Sequence, residues 1–342
     1  MPALVECVPN FSEGRDETVI SAITDAMCSV DGVTLLDVDM GADFNRTVVT
    51  IVGPPESVLE SAICGTRVAL NEIDMTGHSG EHARMGAVDV VPFIPISGCT
   101  MSDCVELSVR YAESVSSEFG LPIYLYAESA RNPERVRLPD IRRGEYEGLE
   151  EKISAVEWVP DFGPAEFKPT MGATATGARN ILIAYNVNLD TDDKSAANRI
   201  AGRLRSSGVL KKNEEGEKII GDDGVPLRMP GRFKALQAAG WMYNEDTAQV
   251  SMNLLDYSLT GLHHVTEAIR EESADIGLNV TASELVGLVP LNALVDAGRH
   301  YNDDSNADLK DLVHSAVSGL QLDVLDEFIP EQRIIEWAAE AE

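Results

Sequence analysis

The two halves of this chain carry the same order of strand and helix signals, which restricts the folds that the chain can adopt. In the first half, β-rich apolar runs and amphipathic helical patterns follow one another as strand, helix, strand, strand, helix, strand. The order recurs in the second half, where residues 284–291 resemble residues 87–94. We predict an α+β fold of two ferredoxin-like-related βαββαβ subdomains, at residues 1–178 and 179–338. Each sheet should carry its helices on the outer face, which would leave a cleft between the subdomains.

Hydrophobic periodicity and turn residues place the individual elements. The predicted strands are residues 4–8, 33–38, 47–52, 87–96 and 122–126, then 181–187, 235–242, 248–255 and 284–291. The predicted helices are residues 12–28, 54–69 and 101–118, then 196–206, 262–272, 292–300 and 308–320. Residues 131–173 are rich in proline, glycine and charge, and we interpret them as the connection between the halves. Residues 208–228 are predicted to form an exposed hairpin or loop.

The formal net charge of −30 argues against two classes of partner. Nucleic acid and anionic membranes bind clustered Lys and Arg, and no lysine precedes Lys152. No segment offers about 18 consecutive apolar residues, and the start lacks the basic and apolar regions of a secretory signal. We therefore expect a cytoplasmic protein. The acidic excess also suits a protein that works in concentrated salt, the alternative being an ordinary acidic bacterial enzyme.

The five cysteines lie at scattered positions, which are Cys7, Cys28, Cys64, Cys99 and Cys104. They include no C-x-x-C pair and no Cys/His cluster with the spacing of a zinc site. We therefore expect reduced thiols, most of them buried, and neither a disulfide framework nor a metal site.

Two of the six histidines, His78 and His82, lie in a glycine-bearing loop at residues 77–86, directly before a predicted buried strand. Their i,i+4 spacing is compatible with zinc, but Gly77 and Gly80 argue against a helix that would hold both on one face. Because imidazole changes protonation near neutral pH, general acid–base chemistry fits this loop better. The other histidines are more simply interpreted as structural; they are His263, His264, His300 and His314.

Polar residues follow the first two strand signals. Asn10 follows the first strand, and Asp39, Asp43, Asn45 and Arg46 follow the second. In a βαββαβ sheet these two strands can be neighbours, so their ends can face the same cleft. The alternative, that any one of them is an ordinary turn residue, stays open.

Long motifs along the chain resemble, in order, those of the glutamate formimidoyltransferases, including the N-terminal part of formimidoyltransferase-cyclodeaminase. The resemblance runs from the first residues to residues 333–336. The motifs that carry it are residues 4–14 (LVECVPNFSEG), 35–39 (LLDVD), 45–48 (NRTV), 80–95 (GEHARMGAVDVVPFIP), 158–164 (WVPDFGP), 249–255 (QVSMNLL) and 285–291 (LVGLVPL).

The resemblance implies transfer of the formimidoyl group of N-formimidoyl-L-glutamate to N5 of tetrahydrofolate, giving L-glutamate and 5-formimidoyltetrahydrofolate in histidine degradation. It implies two α/β subdomains, a homodimer and a pterin site between the subdomains. Since no cyclodeaminase part is recognised, a separate cyclodeaminase is expected to use the product. His82 matches the family's catalytic histidine. The family's folate-contacting segment matches Gly163, Pro164, Ala165, Glu166, Phe167, Lys168, Pro169, Thr170, Met171 and Gly172.

The chemistry of the implied reaction suggests roles for further residues. N5 must lose a proton as it attacks and the glutamate nitrogen must gain one as it leaves, and one imidazole can carry that proton. A formamidinium is cationic, so Asp39 is predicted to hold it. Asn10, Arg46 and Arg84 are predicted to bind the glutamate substrate, with Lys168 as a further cation for carboxylates. Two alternatives stay open: formyl transfer from N-formylglutamate, and a non-catalytic folate-binding protein.

Overall fold

The structure, a computed structural model, describes residues 3–221 and 224–340. Its helices and sheets form a mixed α+β architecture, which confirms the predicted fold class. Residue contacts divide the chain into two compact units, the first ending at Asn180 and the second beginning at Ile181. Within the described residues, none of the helices combines the length and the apolar character that crossing a membrane requires.

Two helices of the first unit begin with a side chain that caps the free backbone N–H groups of the first turn. Asp16 caps the first helix by accepting hydrogen bonds from the backbone of Thr18 and Val19, and a capping box of Thr100 and Asp103 opens the third. The elements are β1 (Leu4–Cys7), β2 (Asn10–Phe11), α1 (Glu17–Cys28), β3 (Thr34–Gly41), β4 (Arg46–Gly53), α2 (Pro55–Glu72), β5 (Val88–Ser97), α3 (Met101–Phe119), β6 (Ile123–Ala127), α4 (Leu138–Arg142), α5 (Leu149–Ile153) and β7 (Thr174–Ala178).

One sheet runs through the first unit in the order β3, β4, β1 with β2, β5, β7, β6. β1 and β2 are two parts of one strand interrupted at Pro9, since both pair antiparallel with β4 and with β5. Numbered along the chain, the four strands of the βαββαβ unit are all antiparallel to their neighbours and have the order 4-1-3-2. β7 and β6 then extend the sheet parallel to β5.

Residues 131–173 do not join the two halves, so that prediction was wrong. They connect β6 to β7 within the first unit. The reason is that β7, for which the sequence analysis has no strand, pairs in parallel with both β5 and β6, and parallel neighbours need a long crossover. Ile141 and Leu149 of this connection pack against Tyr124 and Tyr126 of the sheet.

The two faces of the first sheet have different surroundings. α1, α2 and α3 pack on one face, where their side chains form a core with inward residues such as Val49 and Phe93. Successive residues of a strand point to opposite faces, so the intervening residues point away from these helices. The connection between β6 and β7 covers part of that second face. The rest of the second face is available for polar side chains.

The second unit repeats the arrangement with the strand order β11, β12, β8, β13, all antiparallel, which is again 4-1-3-2. β9 and β10 pair antiparallel at the two ends of the segment 208–228, which was predicted to be an exposed hairpin or loop and of which residues 222 and 223 lie outside the described residues. The elements are β8 (Ile183–Leu189), α6 (Lys194–Leu204), β9 (Val209–Leu210), β10 (Arg228–Met229), β11 (Leu236–Met242), β12 (Ala248–Leu254), α7 (Leu262–Ala274), β13 (Val280–Val286), α8 (Leu291–Tyr301), α9 (Leu309–Leu320), α10 (Pro330–Arg333) and α11 (Ile335–Ala338).

The last strand of the second sheet lies earlier than predicted, at Val280–Val286 instead of residues 284–291. Gly287 has a φ of 80°, which ends the extended backbone, and Pro290 precedes the first turn of α8. The apolar run therefore comprises a strand end, a turn and a helix start. A short apolar run does not by itself mark where a strand stops.

The acidic composition leads to a prediction about salt. If the net charge of −30 is an adaptation to concentrated salt, stability should rise as KCl increases from about 0.1 M to above about 1 M, because screening weakens repulsion between carboxylates. Thermal unfolding in a KCl series, with sorbitol of matched osmolality as the control, measures this. A melting temperature that falls or stays level in KCl would identify an ordinary acidic protein.

Candidate active site

The strand register brings predicted site residues onto the second face of the first sheet. Asp39 lies opposite Val48, and Val48 lies opposite Asn10, so the three share one row across β3, β4 and β2. Arg46, two residues before Val48, points to the same face. Asn10 is buried, Arg46 is half-buried and Asp39 is exposed. This face therefore presents an amide, a guanidinium and a carboxylate side by side.

His82 reaches this row from the loop before β5. Its Nε2 lies 2.7 Å from Nη1 of Arg46, and the same Nη1 donates to Oδ1 of Asn10 at 3.2 Å. Asn10 is oriented in turn, because its Nδ2 donates to the carbonyl oxygen of Val8 at 3.0 Å. Three residues selected from the sequence, Asn10, Arg46 and His82, thus form one hydrogen-bonded cluster.

The contact with Arg46 fixes the tautomer of His82. A guanidinium only donates hydrogen bonds, so Nε2 of His82 must be the acceptor and Nδ1 must carry the proton. Nδ1 is buried and makes no hydrogen bond of normal geometry among the described residues, although the backbone of Ala83 lies close enough to favour the protonated ring. Burial lowers the pKa of His82, and the charges of Arg46 and Arg142 lower it further, with Asp89 acting in the opposite direction. The imidazole is therefore neutral at neutral pH.

Asp89 and Arg142 form an ion pair beside this cluster, which the sequence analysis missed. Arg142 Nη2 bonds Asp89 Oδ2, with the two side chains 14% and 1% exposed, and Asp89 Oδ1 accepts from the backbone N–H of Met85 at 2.9 Å. Asp89 was recognisable as a single carboxylate inside the apolar run of β5, since a buried charge requires a partner. Arg142 gave no such signal because it lies in the irregular connection between β6 and β7.

The loop that carries His82 is tied by hydrogen bonds to Asn45, the residue before Arg46. His78 Nε2 lies 2.9 Å from the carbonyl oxygen of Asn45, and Asn45 Nδ2 donates to the carbonyl oxygen of Ser79 at 3.0 Å. Asn45 adopts a φ of 47°, a left-handed conformation that asparagine tolerates better than most residues. A Cβ on Gly80 would collide with the carbonyl of Phe44, so the two segments approach closely because position 80 is glycine.

The structure does not bring Arg84 into the Arg46–His82 cluster. Its buried guanidinium binds Glu147 through two hydrogen bonds of 2.6 and 2.9 Å and Glu145 at 3.3 Å, while its Nε donates to Nδ1 of His78 at 3.2 Å. His78 therefore carries its proton on Nε2 and donates it to Asn45. The charge of Arg84 is neutralised by carboxylates of this chain, and its contacts fix His78.

The segment matched to folate contacts, residues 163–172, ends beside the His82 loop. The backbone N–H of Met75 donates to Thr170 O, and that of Ala87 donates to Met171 O. Gly172 has a φ of 71°, and a Cβ there would collide with the carbonyl of Met85. The carboxyl-terminal end of this segment is thus held against the residues that follow His82.

Two side chains of the same segment have partners in the first unit. Lys168 Nζ donates to the carbonyl oxygen of Phe119 at 2.9 Å, which satisfies the end of α3. Phe167 packs against Tyr146 with ring centroids 5.5 Å apart. The ammonium group of Lys168 thus already serves the first unit as a helix cap.

The second unit has a polar sheet face of its own, which the sequence analysis missed. Asn186 and Gln249 both donate to Oε1 of Glu284, at 2.9 and 3.0 Å, and Gln249 also donates to Asn188. These residues alternate along β8, β12 and β13 with core residues, and that period of two was the available signal. This face can donate hydrogen bonds to a polar ligand and accept hydrogen bonds from it.

The histidines interpreted as structural include three neighbouring rings in the second unit. The ring centroid of His263 lies 4.0 Å from that of His264 and 5.0 Å from that of His300. Burial, followed by the neighbouring histidines, lowers the pKa of His263 to about 4. Across residues 3–221 and 224–340, no group of three or more His, Cys, Asp or Glu side chains is arranged to hold a metal ion.

Matches to known protein families cover both units of the chain. Residues 4–179 match the family described as "Formiminotransferase domain, N-terminal subdomain", and residues 184–340 match "Formiminotransferase domain". The chain is 42% identical to the glutamate formimidoyltransferase of Streptococcus pyogenes serotype M1, with 88% of this chain and 94% of the relative covered. It is 40% identical to that of Thermoplasma acidophilum, with 87% and 92% covered.

A longer relative matches over nearly the whole chain. The formimidoyltransferase-cyclodeaminase of Rattus norvegicus is 48% identical over 341 residues, which are 98% of this chain and 60% of that protein. The chain thus spans about three fifths of that relative and nearly all of the two shorter ones. Both compact units match, and the chain therefore belongs to the formiminotransferase family of transferases.

Proposed function

We propose that this chain transfers the formimidoyl group of N-formimidoyl-L-glutamate to N5 of tetrahydrofolate, giving L-glutamate and 5-formimidoyltetrahydrofolate. The observation that carries the proposal is a neutral histidine, His82, in contact with Arg46, a guanidinium that makes no direct ion pair among the described residues and feels the charges of Asp39 and Asp89 only at longer range. The relatives named glutamate formimidoyltransferase support the same reaction class. Tetrahydrofolate is the proposed co-substrate.

The proton balance of the reaction assigns His82 its role. N5 of the folate forms a bond to the amidine carbon, and the N5 proton passes to Nε2 of His82. The imidazolium then returns that proton to the glutamate nitrogen as the bond from this nitrogen to the amidine carbon breaks. One imidazole thus serves as general base and then as general acid, and it ends in its starting state. Holding both substrates together supplies much of the remaining acceleration.

Arg46 is the proposed ligand of a substrate carboxylate. A protein with a net charge of −30 repels an anionic substrate, so the site needs local positive charge. Arg142 is paired with Asp89, and Arg84 with Glu147. Arg46 has only neutral hydrogen-bond acceptors among the described residues. This difference favours Arg46 over Arg84, which sequence alone ranks equally.

Residues 163–172 are the proposed folate contacts. Their support is the matched motif together with the position of Met171 and Gly172 against Met85 and Ala87, close in sequence to His82. Lys168 is a weaker candidate for the folate tail, because its ammonium already caps α3.

The proposal is tested by offering tetrahydrofolate with N-formimidoyl-L-glutamate and with N-formyl-L-glutamate in parallel and analysing the folate products by mass spectrometry. We expect formimidoyltetrahydrofolate at the higher rate. Exclusive formation of a formyl product would show that the donor assignment is wrong. Folate binding with no product from either donor would identify a binding protein.

Asp39 leads to a prediction that separates the two donors. Asp39→Asn should lower kcat/KM for the formimidoyl donor about 10-fold or more, because a charge-assisted hydrogen bond to the cationic amidine is lost, and should change the rate with the neutral formyl donor little. Asp25→Asn, at an exposed position on α1, is the matched control. Equal losses of kcat/KM with both donors would show that Asp39 does not bind the amidine.

A further inference from the structure

In the resting site, the only lone pair of His82 is occupied. Nη1 of Arg46 donates to Nε2, and the proton of the neutral ring lies on Nδ1. A histidine in this state has no nitrogen that can accept a proton. A general base at this position therefore requires that the guanidinium leave Nε2.

The contacts of Arg46 indicate what can move it. Its hydrogen-bond acceptors in the described part of the chain are two neutral groups, Nε2 of His82 and Oδ1 of Asn10, both served by Nη1. Carboxylates bind guanidinium groups through paired, charge-assisted hydrogen bonds that are about twice as strong as neutral ones. A carboxylate that binds Nη1 together with Nη2 therefore replaces the imidazole as the acceptor of Nη1.

We propose that Arg46 is a latch on His82 that the substrate opens: a carboxylate of the glutamate donor draws the guanidinium away from Nε2 and uncovers the lone pair that accepts the proton. This inference rests on the proposed function and adds a regulatory role to Arg46. Donor binding and base activation become one event, so a donor analogue without carboxylates leaves His82 covered. Arg46 is then a positioning residue for His82 as well as a substrate ligand.

The surroundings of His82 give the direction of the change. Arg46 on β4 and Arg142 on α4 disfavour the imidazolium, while Asp89 on β5 and the backbone of Ala83 favour it. Arg142 is held by Asp89, so it stays in place when a ligand binds. Moving and neutralising Arg46 removes the larger of the two cationic influences. The pKa of His82 should consequently rise when a dicarboxylate binds.

The test follows His82 by NMR in protein with labelled histidine, the resonance being assigned from the spectrum of His82→Gln. The probe is N-acetyl-L-glutamate, which carries both carboxylates and no transferable one-carbon group, and its dimethyl ester is the neutral match. We expect the Nδ1–H tautomer in the free protein. We also expect the pKa of His82 to rise by roughly 1 unit or more with N-acetyl-L-glutamate and not with the ester.

Variants of Arg46 test the latch without any ligand, so the result does not depend on how tightly the probe binds. Arg46→Met, and Arg46→Gln if the first does not fold, should show the raised pKa of His82 without any ligand. Arg67→Met removes an exposed arginine of the same unit that pairs with Glu118, and should leave His82 unchanged. An unchanged pKa in the folded Arg46 variants would overturn the latch.

The latch and the proposed reaction fail in distinguishable ways, because the NMR experiment does not require group transfer. Calorimetric binding of N-acetyl-L-glutamate with no change at His82 would overturn the latch and leave the transfer proposal standing. A raised pKa of His82 together with transfer from a different donor would support the latch and overturn the proposed donor.

Discussion

Replacing His82 with alanine should lower kcat by about 10²–10⁴-fold, the usual range for loss of a general acid–base group, while tetrahydrofolate binding is largely kept. The imidazole is neutral, and its Nε2 lies on the sheet face that carries Arg46 and Asn10. The proposed folate segment is held by backbone hydrogen bonds that do not involve the His82 side chain. Steady-state kinetics and equilibrium titration with folate separate the two effects.

The control for this substitution is His314→Ala, an exposed histidine on α9 of the second unit. His78→Ala should have a milder effect than His82→Ala, since His78 contacts Asn45 and Arg84 and acts through the loop. A His82→Ala enzyme with wild-type kcat would remove His82 from proton transfer. Loss of folate binding in proportion to kcat would show that His82 binds the co-substrate instead.

Replacing Asp89 with alanine should destabilise the first unit by about 3–5 kcal/mol, the usual range for breaking a buried ion pair. The substitution leaves Arg142 largely buried without its partner, because the two side chains are only 14% and 1% exposed. It also removes the acceptor of the backbone N–H of Met85, at the end of the His82 loop. The midpoint of urea unfolding, followed by a probe in the first unit, measures the loss.

A double-mutant cycle tests the cause of that loss. Arg142→Met in the Asp89→Ala background should recover part of the stability, because the uncompensated charge is gone. The matched control is Arg110→Met, which breaks the exposed pair with Glu56 and should change stability by less than about 1 kcal/mol. Additive losses for Asp89 and Arg142 would show that their pairing contributes little.

Part of the cluster at the proposed site follows from which strands are neighbours in the first sheet. The sequence analysis allowed the first and second strands to be neighbours, but β4, the third strand, lies between them. The pairing of β2 with β4, together with the period of two, puts Asn10 and Arg46 on one face. The His82 loop precedes β5, which also pairs with β2. Local chain order and sheet topology therefore bring Asn10, Arg46 and His82 together without any detail of side-chain packing.

Contacts made by the irregular connection between β6 and β7 were not predictable in this way. Arg142, Glu145 and Glu147 have no periodic pattern that would place them, yet they pair with Asp89 and Arg84. Their partners depend on how β7 enters the sheet. That strand, with the sequence TATGA, is short and rich in small residues and gives a weak strand signal. The different roles of Arg46 and Arg84 follow from these contacts.

The proposed reaction moves a formimidoyl carbon to N5 of tetrahydrofolate while His82 carries the proton. The most direct measurement is a single-turnover reaction with donor labelled with carbon-13 at the formimidoyl carbon, analysed by NMR and mass spectrometry for wild type and His82→Ala. We predict that wild type places the label on N5 with one equivalent of L-glutamate released, and that His82→Ala does so about 10²–10⁴-fold more slowly. Label released to water or label on another folate nitrogen would rule out this reaction, and equal rates for the two proteins would rule out proton transfer by His82.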